Sequence, residues 1–371
     1  MVILKKNSTF TAASILIFLM IGLVLYQQQL HHFAVYAGGA CIDYDQSENT
    51  IIITCDASFR DVANTINDQA VLEQLDDGGE YLLKASLQVD DGTTFSIGPN
   101  NITWLKITGT NGMIVYGKIQ ITGVRITSWD TETNSPVSQT EMGSTPRAFI
   151  NLRGSEGGFI HESEIAYLGY QEVGRRGFDL IGDGPSHDLE IRDSKFHDMW
   201  FAFYSNSAYN IVVDGNEYHN NIKYALDPHT GTHDMNITNN WVHHNPIGII
   251  CSLDCSNILI EGNRAEHNTR AGIFFSRNMH DSIARNNHVY NTTIGIIVSE
   301  SPNNQIYDNT IEGATRAGIR LSNPPEPDDG FTEGNHVYNN TISNSEDGIS
   351  EIRSDGNILE DNKFFNIESD E

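Results

Sequence analysis

The 371-residue chain is 39% hydrophobic and only 19% charged, with 32 glycines, a mixture that favours short strands and many turns over long helices. Its length allows one large all-β domain or two ordinary ones. A net charge of −27 excludes nucleic acid as the bulk partner, since phosphate binding needs a basic footprint, but a polyanion can still be held in a locally basic groove.

The first predicted element is a targeting segment. Lys5 and Lys6 precede an apolar run from Ala12 to Tyr26, and Val35-Tyr36-Ala37 offers a small-residue cleavage site. Residues 1–37 therefore read as a signal peptide or, uncleaved, as a membrane anchor. Either way the remainder is expected outside the cytoplasm, secreted or at the cell surface. With export, a disulfide is the default for Cys41 and Cys55. Cys251 and Cys255, in CSLDC, fit a short-loop disulfide and two buried thiols equally well, and no CxxC spacing exists for zinc.

Residues 38–100 read as a cap containing one helix, expected over FRDVANTINDQAVLEQL (59–75), where apolar residues recur at helical spacing. From Asn101 the texture changes to short β-rich segments. A polar stretch near 129–147 interrupts them as a loop.

After that the chain repeats. Asparagines recur at 216, 240, 263, 287, 309, 340 and 362, at intervals of 24, 23, 24, 22, 31 and 22, and the long interval contains NPPEPDDGFTEG (323–334). A Gly-Ile pair runs in phase at Gly248, Gly272, Gly295, Gly318 and Gly348. A period in this range marks a solenoid. Asn at the corner of each unit predicts amide ladders between coils stacked ~4.8 Å apart, and residues 101–371 are expected to form a parallel β-helix.

One stretch interrupts the pattern: YALDPHTGTHD, Tyr224–Asp234. Aligned with the later turns, Ala225 falls level with Gly248, Gly272 and Gly295, and Leu226 with the inward column Ile249, Ile273 and Ile296. Strict alternation then sends Lys223, Ala225, Asp227 and His229 outward and Tyr224 inward. One outward column reads Lys223, Pro246, Arg270, Thr293; another reads His229, Ser252, Ser276, Ser299. The small Ala/Gly column is expected to leave room for a ligand on that face.

YALDPH resembles the Tyr-x-x-Asp-Pro-His motif of the mannuronan C-5 epimerases, and the GIICS, NTRAGIFFS and GIIVSES units that follow are similar to that family's repeats. The resemblance covers roughly residues 150–365. It implies a right-handed parallel β-helix that acts on an anionic polysaccharide, turning β-D-mannuronate into α-L-guluronate within the polymer. It also implies that Tyr224 and His229 are the acid/base pair, that Asp227 orients the site or, protonated, helps neutralise the uronate carboxylate, and that Arg270 holds that carboxylate. Lys223, Ser252, Asp254 and Arg277 are the expected substrate-binding residues. The chain departs from the DPHD form of the motif in having Thr230 after His229.

The chemistry asks for these residue types. The C-5 proton is weakly acidic, so the developing dianion needs a cation or protonated acid beside it, a base on one face and an acid on the other. If the intermediate instead expels the C-4 oxygen, the same site is a polysaccharide lyase. Outside enzymes, a glycan-binding surface solenoid and a periplasmic metal-delivery solenoid share the repeat, and in them Tyr224 would be a corner aromatic and Asp227-Pro228 a turn. His229 and His233 form an H-x3-H pair without an evident third ligand. No cofactor is required; calcium is compatible with the acidic loops, though no DxDxDG loop exists. Lys223, Arg277, Arg316, His219, His243 and His244 have a plain surface reading as solvated groups, and a monomer is expected.

Overall fold

The computed structural model describes residues 40–100, 102–139, 143–326 and 330–369. The expected segment 1–37 lies outside them. Cys41 onward is one compact unit, a parallel β-helix whose coils each place one strand in each of three sheets. The first sheet has 13 strands, from Ile42–Asp45 to Asp347–Ile352; the second has 12, from Ala57–Ser58 to Ile358–Glu360; the third has 14, of which 13 run in the ladder from Leu72–Gln74 to Lys363–Ile367 and Ser135–Pro136 lies off it.

Among the described residues the pairing is parallel except at three places. Two of these are at the N-terminal end, where Ile42–Asp45 folds back on Thr50–Ile53 and Leu72–Gln74 on Glu80–Leu83. The Cys41–Cys55 disulfide closes the first hairpin. Cys251 and Cys255 are buried free thiols.

The helix spans only Phe59–Ile66, with a Ser58/Asp61 capping box at its start. It caps the end of the core with Phe59 and Val62. It stops earlier than periodicity predicts because Asn67 turns left-handed (φ 38°) and Asp68 organises a turn through Ala70 and Leu72. Leu72–Gln74 then joins the third sheet. The sheets also cross the expected boundary at Asn101 without a break: Ser86–Val89 pairs directly with Gly112–Val115.

Asparagines stitch the coils together. The Asn216 side-chain amide donates to Asn240 Oδ1 at 3.0 Å, and the same bond repeats through Asn263, Asn287, Asn309, Asn340 and Asn362 at 2.9–3.0 Å. A second ladder, Asn221–Asn245–Asn268, stands at the corner that feeds the Tyr224 strand. Each oxygen also accepts a backbone N–H of the preceding coil, so these buried amides are satisfied inside the solenoid.

Candidate active site

The strand Tyr224–His229 lies in the first sheet between Phe201–Asn206 and Ile247–Ser252. Its register pairs Tyr224 with Ile247, Leu226 with Ile249 and His229 with Ser252, and it skips Ala225. The same skip recurs at Gly248, Gly272, Gly295 and Gly318 in later coils. At that step two successive residues face inward, so alternation breaks there. Ala225 and Leu226 both pack in the interior core, and Tyr224 emerges on the outer face beside Asp227 and His229. The Ala/Gly column is therefore interior, contrary to its expected place in the groove. A Cβ at Gly272, Gly295 or Gly318 would lie 2.3–2.5 Å from Val289, Ile311 or Ile342 of the third sheet. Small residues let the two sheets meet.

Tyr224, Asp227 and His229 line a cleft of about 520 Å³ with Lys223, Arg270 and Arg277. Ser252 also lines it, so seven of the eight expected residues converge. Asp254 does not; it is exposed in the following turn, where it accepts from Asn278 at 2.7 Å. His233 also lies past the strand, bonded to Asp234. His197, His219 and His243 stack with one another on the third sheet and line no part of the cleft.

Arg176, Tyr204, Trp200 and Phe274 are also among the lining, and sequence reasoning missed them. Tyr204 pairs with Asp227 across one coil, so extending the repeat backward by 23 residues finds it. Arg176 follows an irregular loop and has no periodic signal. Its guanidinium lies 4.0 Å from the Tyr204 ring centroid.

The His229 imidazole has a defined tautomer. Arg277 Nη2 lies 3.1 Å from Nε2, and because a guanidinium can only donate, Nε2 is the acceptor. Nδ1 then carries the proton and donates to Thr230 Oγ1 at 2.6 Å. Thr230 thus orients the ring without adding a negative charge. Arg277 is itself anchored on Ser252 Oγ, at 2.8 and 3.1 Å. Burial, then Arg277 and Arg176, lower the His229 pKa to about 4.

Asp227 is 2% exposed, and its Oδ1 has no hydrogen-bond partner. Burial raises its pKa well above the usual 3.8, against the opposing pull of Arg176, Arg277 and Lys223, which favours the protonated form, the one that can donate. Burial and Asp227 also raise Tyr224, while Arg270 and Arg277 pull it down. Among the described residues, none of Arg176, Lys223, Arg270 and Arg277 has a carboxylate within ion-pair distance. An acidic protein thus presents a cationic cleft whose imidazole, phenol and carboxyl are all shifted towards their uncharged forms. A larger concavity at the C-terminal end contains Asp347, Glu351, Glu360 and Asp361 with no Lys or Arg, the wrong sign for a polyanion.

Fold and cleft together define a parallel β-helix protein with a cationic cleft that brings an imidazole, a phenol and a carboxyl together. The chain is homologous to the mannuronan C5-epimerases. It is 30% identical over 176 residues to mannuronan C5-epimerase AlgG of Azotobacter vinelandii, covering 44% of this chain and 33% of that protein. It is 28% identical over 188 residues to the mannuronan C5-epimerase of Pseudomonas aeruginosa, covering 47% and 34%. The chain thus spans about a third of the length of the curated relatives it matches.

The fold is similar to that of the crystallised periplasmic alginate epimerase AlgG, with a TM-score of 0.73 and 22% identity over 85% of each chain. It is also similar to the A-module of Azotobacter vinelandii mannuronan C-5 epimerase AlgE4, with a TM-score of 0.58 and 21% identity over 78% of this chain and 86% of that one. Residues 228–370 match the family described as periplasmic copper-binding protein (NosD). The donor set here does not fit a bound metal: among the described residues no group of three or more His, Cys, Asp or Glu is placed to hold an ion.

Proposed function

We propose that the protein is an extracytoplasmic polyuronate C-5 epimerase that converts β-D-mannuronate to α-L-guluronate within alginate-like chains. The observation that carries this reading is the make-up of the cleft: an imidazole with a defined acceptor nitrogen, a phenol and a buried carboxyl, each shifted towards its uncharged form, ringed by cations without carboxylate partners. The homology to mannuronan C5-epimerases supports it, as does the word periplasmic in the descriptions of the similar crystal structure and of the matching family.

In this reaction the uronate carboxylate enters among Arg277, Arg176, Arg270 and Lys223. It draws the Arg277 guanidinium off the imidazole, leaving His229 Nε2 free to take the C-5 proton. The enolate charge that develops on the carboxylate is stabilised by the arginines and by a hydrogen bond from protonated Asp227. Tyr224 returns a proton to C-5 from the other face, and proton exchange with water resets the pair. No step calls for a metal.

The test is incubation of the purified protein with polymannuronate in heavy water, followed by proton NMR. Guluronate signals with deuterium at C-5 are expected. Unsaturated chain ends absorbing in the ultraviolet would show instead that the intermediate expels the C-4 oxygen, making the protein a lyase. Binding without exchange or cleavage would leave only a glycan-binding solenoid.

A further inference from the structure

The edge of the first sheet that feeds the cleft is built from short connections, with two exceptions: 131–148, which leads into Phe149–Leu152, and the connection of the next coil. Between the third and first sheets, the coil preceding Phe201–Asn206 is joined by 198–200, and later coils by 220–223, 244–246, 267–270, 291–293 and 313–316, three or four residues each. The connection from Glu164–Ala166 to Gly177–Leu180 has ten, Tyr167–Arg176. The extra chain folds over the outer face of the first sheet, immediately N-terminal to the cleft. Asn151 and Asp179 lie beneath it, as the contacts from Gly174 and Arg176 show. They are in register with Tyr204 and Asp227 on the outer face, yet they are only 2% and 0% exposed.

Arg176 N donates to Asp179 Oδ2 at 2.6 Å, a side chain at Gly174 would meet Asn151 Nδ2 at 2.9 Å, and Arg175 sits 5.2 Å over the Phe149 ring. The loop is braced as well. Buried Arg147 donates to the carbonyls of Leu168 and Gly169 at its base, both at 2.9 Å. Gln171 N bonds to Gly143 O at 2.8 Å, and Gly143 packs on Trp200. This is a fixed wall.

Arg176 covers Tyr204 one coil before Asp227, so only about one strand spacing, ~4.8 Å and close to the length of one sugar, separates the site from the wall. On the C-terminal side the connections from the third to the first sheet stay at four residues or fewer, and the longer connection 323–335 leaves the opposite edge of the first sheet. The outer face there continues as the apolar strip Ile250, Phe274 and Ile297, then Arg320 in register, with Arg316 two coils beyond Arg270 on the same edge.

We infer that the Tyr167–Arg176 loop is an end-stop: a polyuronate occupies the groove only from the C-terminal side, and the residue over His229 is the last or next-to-last of its chain. The inference rests on the proposed epimerase reading and adds to it a preference for chain ends over chain interiors. It is tested with mannuronate oligomers of defined lengths, labelled at the reducing end, incubated with the full protein in heavy water and sequenced by tandem mass spectrometry. Deuterium is expected in the two residues at one end only, and at a fixed mass of uronate, halving the oligomer length should double the initial rate. In a variant lacking Glu172–Gly174, deuterium is expected to spread inward.

Deuterium scattered along the wild-type product, with a rate independent of length, would overturn the end-stop while leaving the epimerase standing. Absence of deuterium at every length would overturn both. Should the shortened loop not fold, the wild-type distribution alone decides.

Discussion

With its pKa lowered to about 4 by burial and by Arg277 and Arg176, His229 is uncharged at neutral pH and able to accept a proton. The value lies below the 6.5 of an ordinary imidazole. The unfolded chain therefore binds this proton first, and the contribution of His229 to stability is complete above about pH 6.5 and lost as pH falls towards 4. Activity follows the folded value. We expect kcat/KM to hold level from neutrality down and to decline only near pH 4. In Arg277→Gln, which removes the nearer cation, the acidic limb should move up towards 6.5; a pH–rate profile with an unmoved limb would remove Arg277 from this role.

His229→Ala and Tyr224→Phe are each expected to cut kcat by ~10²–10⁴ while oligomannuronate binding, read by titration calorimetry, persists. Asp227→Asn keeps a donor and should retain more activity than Asp227→Ala. How far these residues were legible in the sequence depends on their setting. Asp227 and His229 follow simple alternation from Leu226 and were placed correctly. Tyr224 was placed on the wrong face, because the step at Ala225 turns two successive residues inward. Arg176 comes from outside the repeat and left no trace in it.

The ladders and the Gly column make the coil the unit of folding. The asparagine intervals reveal both the period and the ladder, because stacking equal residues is what a solenoid does. The helix overshot because AVLEQL has helical composition, yet an Asn–Asp turn and an available sheet edge outweigh it. The Gly column looked like ligand space because sequence shows only that side chains are small, not which side needs them small.

At Gly272 a valine would collide with Val289 and with the Gly295 carbonyl, so Gly272→Val is expected to destabilise by about 1–3 kcal/mol. Asn240→Ala strips partners from the Asn216 backbone N–H and amide and from the Val213 carbonyl, and with buried groups left unpaired it should cost at least ~2 kcal/mol. Urea titration followed by circular dichroism measures both. An Asn240→Ala protein as stable as wild type would mean that water replaces the ladder.

The whole molecule sets two electrostatic ranges against each other. With 49 Asp and Glu against 22 Lys and Arg, a polyuronate approaching from a distance is repelled. Only within the cleft does it meet Arg176, Lys223, Arg270 and Arg277 without competing carboxylates. Screening separates the two. The Debye length falls from about 30 Å at 0.01 M salt to about 10 Å at 0.1 M, which removes most of the repulsion from the remote surface but little of the contact attraction in a partly desolvated site. KM for long oligomannuronates is therefore expected to fall as salt rises over that interval, and to climb again only at higher salt, where contacts with Lys223 and Arg270, the two exposed cations, are screened as well. Steady-state kinetics at constant pH across the series gives the answer. A KM that rises monotonically from the lowest salt would mean that the cleft's cations dominate at every range and that the acidic surface plays no part in substrate approach.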